Sequence, residues 1–188
     1  MIKRLFDFTL ALIGLIILSP LFLIIAFLIS FSGPVFFIQE RYGKDEKTFK
    51  LWKFRTMKNG LENYTVEELR QFESSGNDPR VNKFGKFLRR YALDEIPQLI
   101  NILKGDMSFV GPRAYFKKRV DENPILKKRL KVKPGLTCLA AINGGVHLSD
   151  EDNLKLDLEY INKKNLFLDI KILLKSIFLV IIGKGFSK

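Results

Sequence analysis

The residues best placed to do chemistry lie in one short run, Leu93-Asp94-Glu95-Ile96-Pro97-Gln98-Leu99. Adjacent carboxylates precede a proline that suits the first turn of a helix. A helix N-terminus is partially positive, which favours ionised carboxylates and nearby phosphate. An Asp ahead of a Pro-containing turn also caps helices, and by spacing alone that structural role is the commoner one. The surroundings add chemistry. Arg89 and Arg90 lie just upstream, Arg113 follows a Gly105-Asp106 turn, and Lys53-Phe54-Arg55-Thr56-Met57 supplies two more cations. Carboxylate oxygens bind Mg²⁺ and Arg forks bind phosphate oxygens, so the set suits a phosphorylated ligand with a divalent metal. A carboxylate can also attack phosphorus directly and form an acyl-phosphate.

Several elements must position these groups. Val35–Gln39 and Thr48–Phe54 are β-rich runs around a polar turn containing Gly43, which predicts a hairpin ending at Lys53 and Arg55. Thr65-Val-Glu-Glu68 has capping-box spacing and opens a short helix to about Phe72. Ser74–Arg80 reads as a loop, with Gly76 and Pro79. Asn82–Arg90 and Glu95–Lys104 read as helices joined at Tyr91–Asp94. Ala114–Lys131 is a basic helical stretch interrupted by Pro124. A loop with Pro134-Gly135 and Asn143-Gly144-Gly145 follows, then a helix from a Ser149 cap with Leu154, Leu158 and Ile161 on one face.

The chain opens on a different kind of segment. From Phe8 to Gln39 there is no charged residue, and Phe8–Phe31 is long enough to span a bilayer as one helix. Ser19-Pro20 sits at its middle, where proline removes a backbone donor and Ser19 can satisfy the freed carbonyl. The halves, Phe8–Leu18 and Leu21–Phe31, are 11 residues each. At ~1.5 Å per residue each covers about half of a hydrocarbon core. Both flanks are basic, with Lys3 and Arg4 before and Arg41, Lys44 and Lys47 after, and positive charge favours the cytoplasmic side. We therefore read a re-entrant helix-kink-helix with its kink at Ser19 and Pro20; the alternative is a proline-kinked spanning helix. Leu166–Ile182 is apolar but carries Asp169, Lys171 and Lys175, which suits a helix lying in the membrane interface.

Composition agrees with a folded protein at an anionic surface. The 188 residues carry a net charge of +12, yet 47% are apolar and 17 are Phe, which excludes disorder. One cysteine, Cys138, excludes a disulfide scaffold and reads as a packing residue. His147, the one histidine, reads as a surface residue, and Trp52 as a core or membrane contact. The fold class expected is α+β, mainly helical: residues 1–33 as a membrane anchor, and residues 34–188 as one small domain with the hairpin and amphipathic interfacial helices, the last at about 166–182.

The sequence resembles the bacterial monotopic phosphoglycosyl transferases, which start glycan assembly on polyprenyl phosphate. The resemblance runs along nearly the whole chain. It is carried by Lys3-Arg4-Leu5-Phe6-Asp7, Ser19-Pro20, Gly33-Pro34-Val35 with Gln39 and Arg41, Lys53–Met57, and Gly85-Lys86-Phe87-Leu88-Arg89. It continues through Leu93–Leu99, Asn101, Gly105–Arg113 and Pro134-Gly135-Leu136-Thr137. What the resemblance implies is a two-step transfer. The family's nucleophile falls on Asp94, which would attack a UDP-sugar, release UMP and hold a phosphosugar for transfer to polyprenyl phosphate. The acid associated with Mg²⁺ falls on Glu95, with Asp94 beside it. Lys53, Arg89 and Arg113 fall on phosphate-holding positions, and Arg55 and Asp106 are counted with them as substrate-binding. The implied setting is the cytoplasmic face of a bacterial inner (cytoplasmic) membrane, with membrane lipids as further partners. A homodimer or association with other glycan-pathway enzymes stays open.

The sequence departs from the family's pattern at Cys138-Leu139-Ala140-Ala141, at Gly145, at Asp150 and at Ala114. The reaction centre is untouched, but the departures fall where sugar and nucleotide would be recognised, so the donor is not named. Two rivals are carried. A membrane-tethered nucleic-acid binder would use the positive charge but leave Asp94 and Glu95 unexplained; no nucleic acid is expected. A non-catalytic scaffold of a glycan-assembly complex would explain the altered Cys138–Gly145 region.

Overall fold

The computed structural model describes residues 1–57 and 78–183. The expected helix at Thr65–Phe72 and most of the Ser74–Arg80 loop lie outside the described residues. The chain begins with one long helix, α1 (Ile2–Ser30), which runs without interruption through Pro20. Two helical halves were expected. The helix continues because the carbonyl that Pro20 cannot bond, that of Ile16, accepts from the Ser19 hydroxyl at 2.8 Å. By length and composition α1 could cross a membrane.

α1 shares its core with the rest of the chain. Ala11, Ile25 and Ile29 are buried, and Phe22 packs on Phe36 and Phe54 at 6.0 and 4.8 Å between ring centroids. Its ends are tied by polar contacts. Lys3 pairs with buried Asp169 at 2.6 Å, Arg4 donates to the carbonyls of Ile102 and Leu103, and buried Asp7 accepts from the Phe109 amide. Beyond the far end, Arg55 donates to the Pro34 carbonyl and the Ser32 hydroxyl.

The hairpin pairs β1 (Phe36–Tyr42) with β2 (Thr48–Phe54), in register from Phe36 opposite Phe54 to Tyr42 opposite Thr48. β1 ends three residues later than expected, because Glu40, Arg41 and Tyr42 all find partners across the ladder. The turn beyond it is a 3₁₀ turn, Lys44–Glu46, with Asp45 left-handed at φ 56°. Aromatic contacts knit this face: Phe36 stacks on Phe54 at 5.7 Å and meets Trp52 edge-on at 5.5 Å.

α2 (Lys83–Arg90) starts at an Asn82 cap whose side chain accepts from the Gly85 amide. The expected helix at Glu95–Lys104 divides. Leu93–Glu95 forms a single 3₁₀ turn, and α3 (Gln98–Lys104) follows Ile96-Pro97. Pro97 has no amide to continue a helical ladder, so the carboxylates sit on a separate turn rather than at the head of α3. β3 (Ser108–Val110) then pairs in parallel with β4 (Gly135–Thr137), a strand pair with too few residues to show in the pattern.

Between those strands, α4 (Lys117–Glu122) and 3₁₀ turns over Pro124–Lys131 make up the basic stretch, divided before Pro124 as expected. α5 (Asp150–Lys163) begins at the expected Ser149 cap, whose hydroxyl accepts from the Asp152 amide. Its most buried residues are Leu154, Asp157 and Tyr160, with Leu158 and Ile161 beside them. α6 (Leu166–Ile181) turns Ile172 and Ser176 inward and leaves Phe167, Leu174, Phe178 and Ile181 exposed. Asp169, one of the three charges of the expected interfacial helix, is buried. It accepts from Lys3 and from the Tyr160 hydroxyl, which also donates to Val110. Cys138 is buried and His147 exposed, both as expected.

Candidate active site

The turn that carries the carboxylates is entered through Ala92, a left-handed residue at φ 51°. A non-glycine residue there costs about 1–3 kcal/mol, and such strain persists only where its surroundings impose it. The turn sinks both side chains into the protein, leaving Asp94 3% and Glu95 5% exposed. Buried carboxylates need cations or hydrogen bonds, and Glu95 has both. Lys53, near the end of β2, donates to its Oε1 at 2.6 Å, Arg113 Nη2 lies 3.5 Å from the same atom, and the polar Gln98 side chain adds a smaller pull toward the ionised form.

The two acids are tuned apart. Burial pushes Glu95 up, but Lys53 and then Arg113 pull harder, and its pKa ends below the usual carboxylate range. Burial likewise pushes Asp94 up. Lys53, Arg89 and Arg113 oppose it, Glu95 adds to it, and its pKa ends raised. Asp94 Oδ1 is buried without a hydrogen-bond partner. Such an oxygen is costly to leave bare, so it is the atom of this centre best placed to meet an incoming electrophile or cation.

Each cation is set by a different element. Lys53 comes from the hairpin. Arg89, at the end of α2, donates from Nε to the buried Thr56 hydroxyl at 3.0 Å. Gly85 allows that approach: a Cβ there would stand 2.4 Å from the Thr56 carbonyl oxygen. Arg113 leaves the crossing where the Gly135 amide donates to the Pro112 carbonyl and the Gly111 amide to that of Thr137.

Of the residues singled out from the sequence, Asp94, Glu95, Lys53, Arg89 and Arg113 therefore lie together. Arg55 lies at the exit of α1 on Ser32 and Pro34. Asp106 accepts from Asn101 at 3.3 Å, and Asn101 also bonds both Lys50 and Trp52 of β2. Ser19 and Pro20 lie within α1. Sequence reasoning missed Gln98 and Thr56. Gln98 follows Glu95 by three residues, a spacing that puts two side chains on one helical face, so it was within reach. Nothing local marks Thr56, whose partner is 33 residues away.

The donor set can be tested against a divalent ion. Among the described residues no group of three metal-ligating side chains occurs. Mg²⁺ commonly takes one or two carboxylates and completes its shell with water and substrate phosphates. Asp94 and Glu95, with the bare Asp94 Oδ1, fit that mode.

Known proteins carry the same sequence pattern. The model of the family described as bacterial sugar transferase matches residues 1–183. The UDP-glucose:undecaprenyl-phosphate glucose-1-phosphate transferase of Escherichia coli (strain K12) is 42% identical over 196 residues, covering 98% of this chain and 41% of the relative. The galactosyl transferase CpsE of Streptococcus agalactiae serotype III is 39% identical, covering 97% of this chain and 43% of the relative. The exopolysaccharide production protein ExoY of Sinorhizobium fredii is 38% identical, covering 97% and 87%. The chain thus spans about two fifths of the length of the first two relatives.

Proposed function

The chain belongs to the bacterial sugar transferase family, and on that premise we propose that it moves a phosphosugar from a UDP-sugar to polyprenyl phosphate, with Asp94 as nucleophile. The single observation that carries this is the bare, buried Asp94 Oδ1 beside a Glu95 held ionised by Lys53 and Arg113. Asp94 oxygen attacks the β-phosphorus. The bond from that phosphorus to the bridging oxygen breaks, UMP leaves with the electron pair, and an aspartyl acyl-phosphate carrying the sugar forms. An oxygen of polyprenyl phosphate then attacks the same phosphorus and the Asp94 carboxylate departs. Neither displacement requires a general base, because each attacking oxygen belongs to an ionised carboxylate or phosphate, and neither requires a general acid, because each leaving oxygen departs as a stable phosphate or carboxylate anion. Catalysis is then largely positioning and charge neutralisation, which is what Lys53, Arg89 and Arg113 supply. Glu95, with Asp94, would hold Mg²⁺, which when bound neutralises phosphate charge.

The setting proposed is monotopic, on the cytoplasmic face of the inner membrane, with the continuous α1 bending at Pro20 so that it enters and leaves by the same face, and with α6 in the interface. Support comes from α1 itself. The polar groups at both its ends bond to one folded body, Lys3 to Asp169 and Ser32 to Arg55. A nucleophile at that surface meets a soluble donor from one side and a lipid-borne phosphate from the other.

The test uses purified protein with candidate UDP-sugars and Mg²⁺ but no acceptor. UMP release and a phosphosugar mass adduct on Asp94 are expected. Absence of the adduct with every donor, or turnover by Asp94→Asn, would refute the mechanism. Labelling of cysteines placed near residues 3 and 44 from opposite membrane faces would restore a spanning α1.

A further inference from the structure

Behind Arg113 lies an ion pair that the reaction centre does not touch. Arg129, on the turns Pro124–Lys131, and Asp157 of α5 are 3% and 1% exposed and face each other directly. Taking both charges out of water costs more than their attraction commonly returns, and burial pushes Asp157 up to about 6 against the pull of Arg129. The pair is poorly satisfied as well: Arg129 Nε and Nη1 have no hydrogen-bond partner. An apolar pair would join α5 to the turns at least as firmly, so packing alone does not account for a guanidinium here.

What the guanidinium does contact is Tyr115. Its carbon lies 3.6 Å from the ring centroid, and that of Arg119, itself paired with Asp150 at the start of α5, lies 4.1 Å away. Tyr115 is two residues beyond Arg113. Arg113, Pro112, Ala114 and Arg129 also line one small cavity of about 10 Å³, room for a single water. From the hairpin, Arg41 donates to the Ala114 carbonyl at 3.0 Å and lies over Phe116 at 3.6 Å. The loop that presents Arg113 is thus gripped on the α5 side through an aromatic ring and on the β1 side through its backbone.

We propose that Asp157, Arg129 and Tyr115 form a positioning device for Arg113. Asp157 fixes the plane of Arg129, Arg129 fixes the Tyr115 ring, and the ring fixes the loop that aims Arg113 at the phosphates beside Glu95. The inference rests on the phosphate-holding role of Arg113 given above. The three are positioning residues, since none touches the reacting atoms.

A double-mutant cycle on kcat/KM for the UDP-sugar donor, read as UMP release with saturating polyprenyl phosphate and the full chain in detergent, tests it. Tyr115→Leu is expected to lower kcat/KM about tenfold, mostly through the donor KM, as misplacement of one phosphate contact does. Tyr115→Phe keeps the ring and should match wild type, and Arg129→Met should match Tyr115→Leu. In an Arg113→Ala background, Tyr115→Leu should change kcat/KM by less than about twofold, because coupled sites are not additive. Equal losses in both backgrounds, or loss with Tyr115→Phe as large as with Tyr115→Leu, would overturn the proposal. If Arg129→Met fails to unfold cooperatively, the half-buried Tyr115 pair carries the test alone. A wild type that turns over while Arg113→Ala is unimpaired overturns the device but leaves the transferase reading standing. A wild type that releases UMP from no donor removes both.

Discussion

Replacing Lys53 by Met removes the closest cation from the buried carboxylate pair, and the consequence depends on pH in a calculable direction. Lys53 Nζ and Glu95 Oε1 are 2.6 Å apart, with side chains 20% and 6% exposed. At that separation and an effective dielectric constant of about 20, opposite unit charges attract by roughly 6 kcal/mol. Dehydration of both groups offsets part of this, and Arg113 at 3.5 Å remains. The net loss is therefore about 3 kcal/mol, the low end of what breaking a buried pair costs. For a chain of this size that lowers Tm by about 6–12 °C. Glu95 now sits below its unfolded pKa of ~4.3, so it contributes stability that is present above that value and is lost as pH falls through the lower folded one. Without Lys53, burial dominates and the folded pKa rises above ~4.3, so the variant loses stability as pH climbs from there through the raised value. Each pH unit in that window removes about 1.4 kcal/mol, and Asp94, which Lys53 also holds down, acts in the same direction. The Tm gap between wild type and Lys53→Met should therefore widen from pH 5 to pH 8. The assay is thermal unfolding by Trp52 fluorescence in detergent with EDTA, so that no divalent ion replaces the lost charge. Lys53→Arg should keep the wild-type profile. A gap equal at the two pH values, or larger at pH 5, would refute the argument that Lys53 holds Glu95 ionised.

Two further outcomes are expected. Asp94 must be ionised to attack, and burial and Glu95 raise its pKa, so acceptor-free UMP release should fail on the acid side at a pH above the ordinary aspartate value of ~3.9. Arg89→Gln removes an opposing charge and should move that limb to higher pH in single-turnover pH–rate profiles; no movement, or movement down, contradicts the assignment. Gly135→Ala would bring a Cβ to 2.1 Å from the Gly111 amide nitrogen and 2.4 Å from the Thr137 carbonyl oxygen, both backbone and unable to give. Its loss should reach or exceed about 3 kcal/mol and be seen as failed cooperative unfolding, whereas Gly145→Ala, with nothing within 4 Å and φ +59°, should cost only about 1 kcal/mol. Similar melting of the two variants would show that the Gly111–Gly135 crossing is not close-packed.

Much of the site could be read locally because its residues are crowded in sequence. Asp94-Glu95, Arg89 and Arg113 fall within 25 residues, and their charge types alone limit the chemistry. Helix starts were legible for the same reason: Asn82 and Ser149 cap through their own side chains, and the partner amide is three residues away. What was not legible depends on distant partners. In the sequence Asp169 is one of three charges in an apolar run read as interfacial, yet Lys3, 166 residues away, and Tyr160 make it a core residue. The β3–β4 pair, three residues a side, is too brief to leave a period in the pattern. Nothing local marks Asp157 or Arg129 as a pair, since they are 28 residues apart until the fold brings them together out of water.

By itself, the sequence determined which groups are available: a carboxylate pair, three cations at recurring motifs, an uncharged N-terminal run with a serine beside its proline, and the family these motifs carry. Those features follow from residue type and short spacing, which no fold can change. Tertiary structure decided what state the groups are in. Whether a carboxylate is held ionised or pushed toward protonation depends on burial and on cations reaching it from the hairpin, α2 and the Arg113 loop. The same long-range packing separates Asp94 from Glu95 in character, although they are neighbours of nearly identical intrinsic acidity.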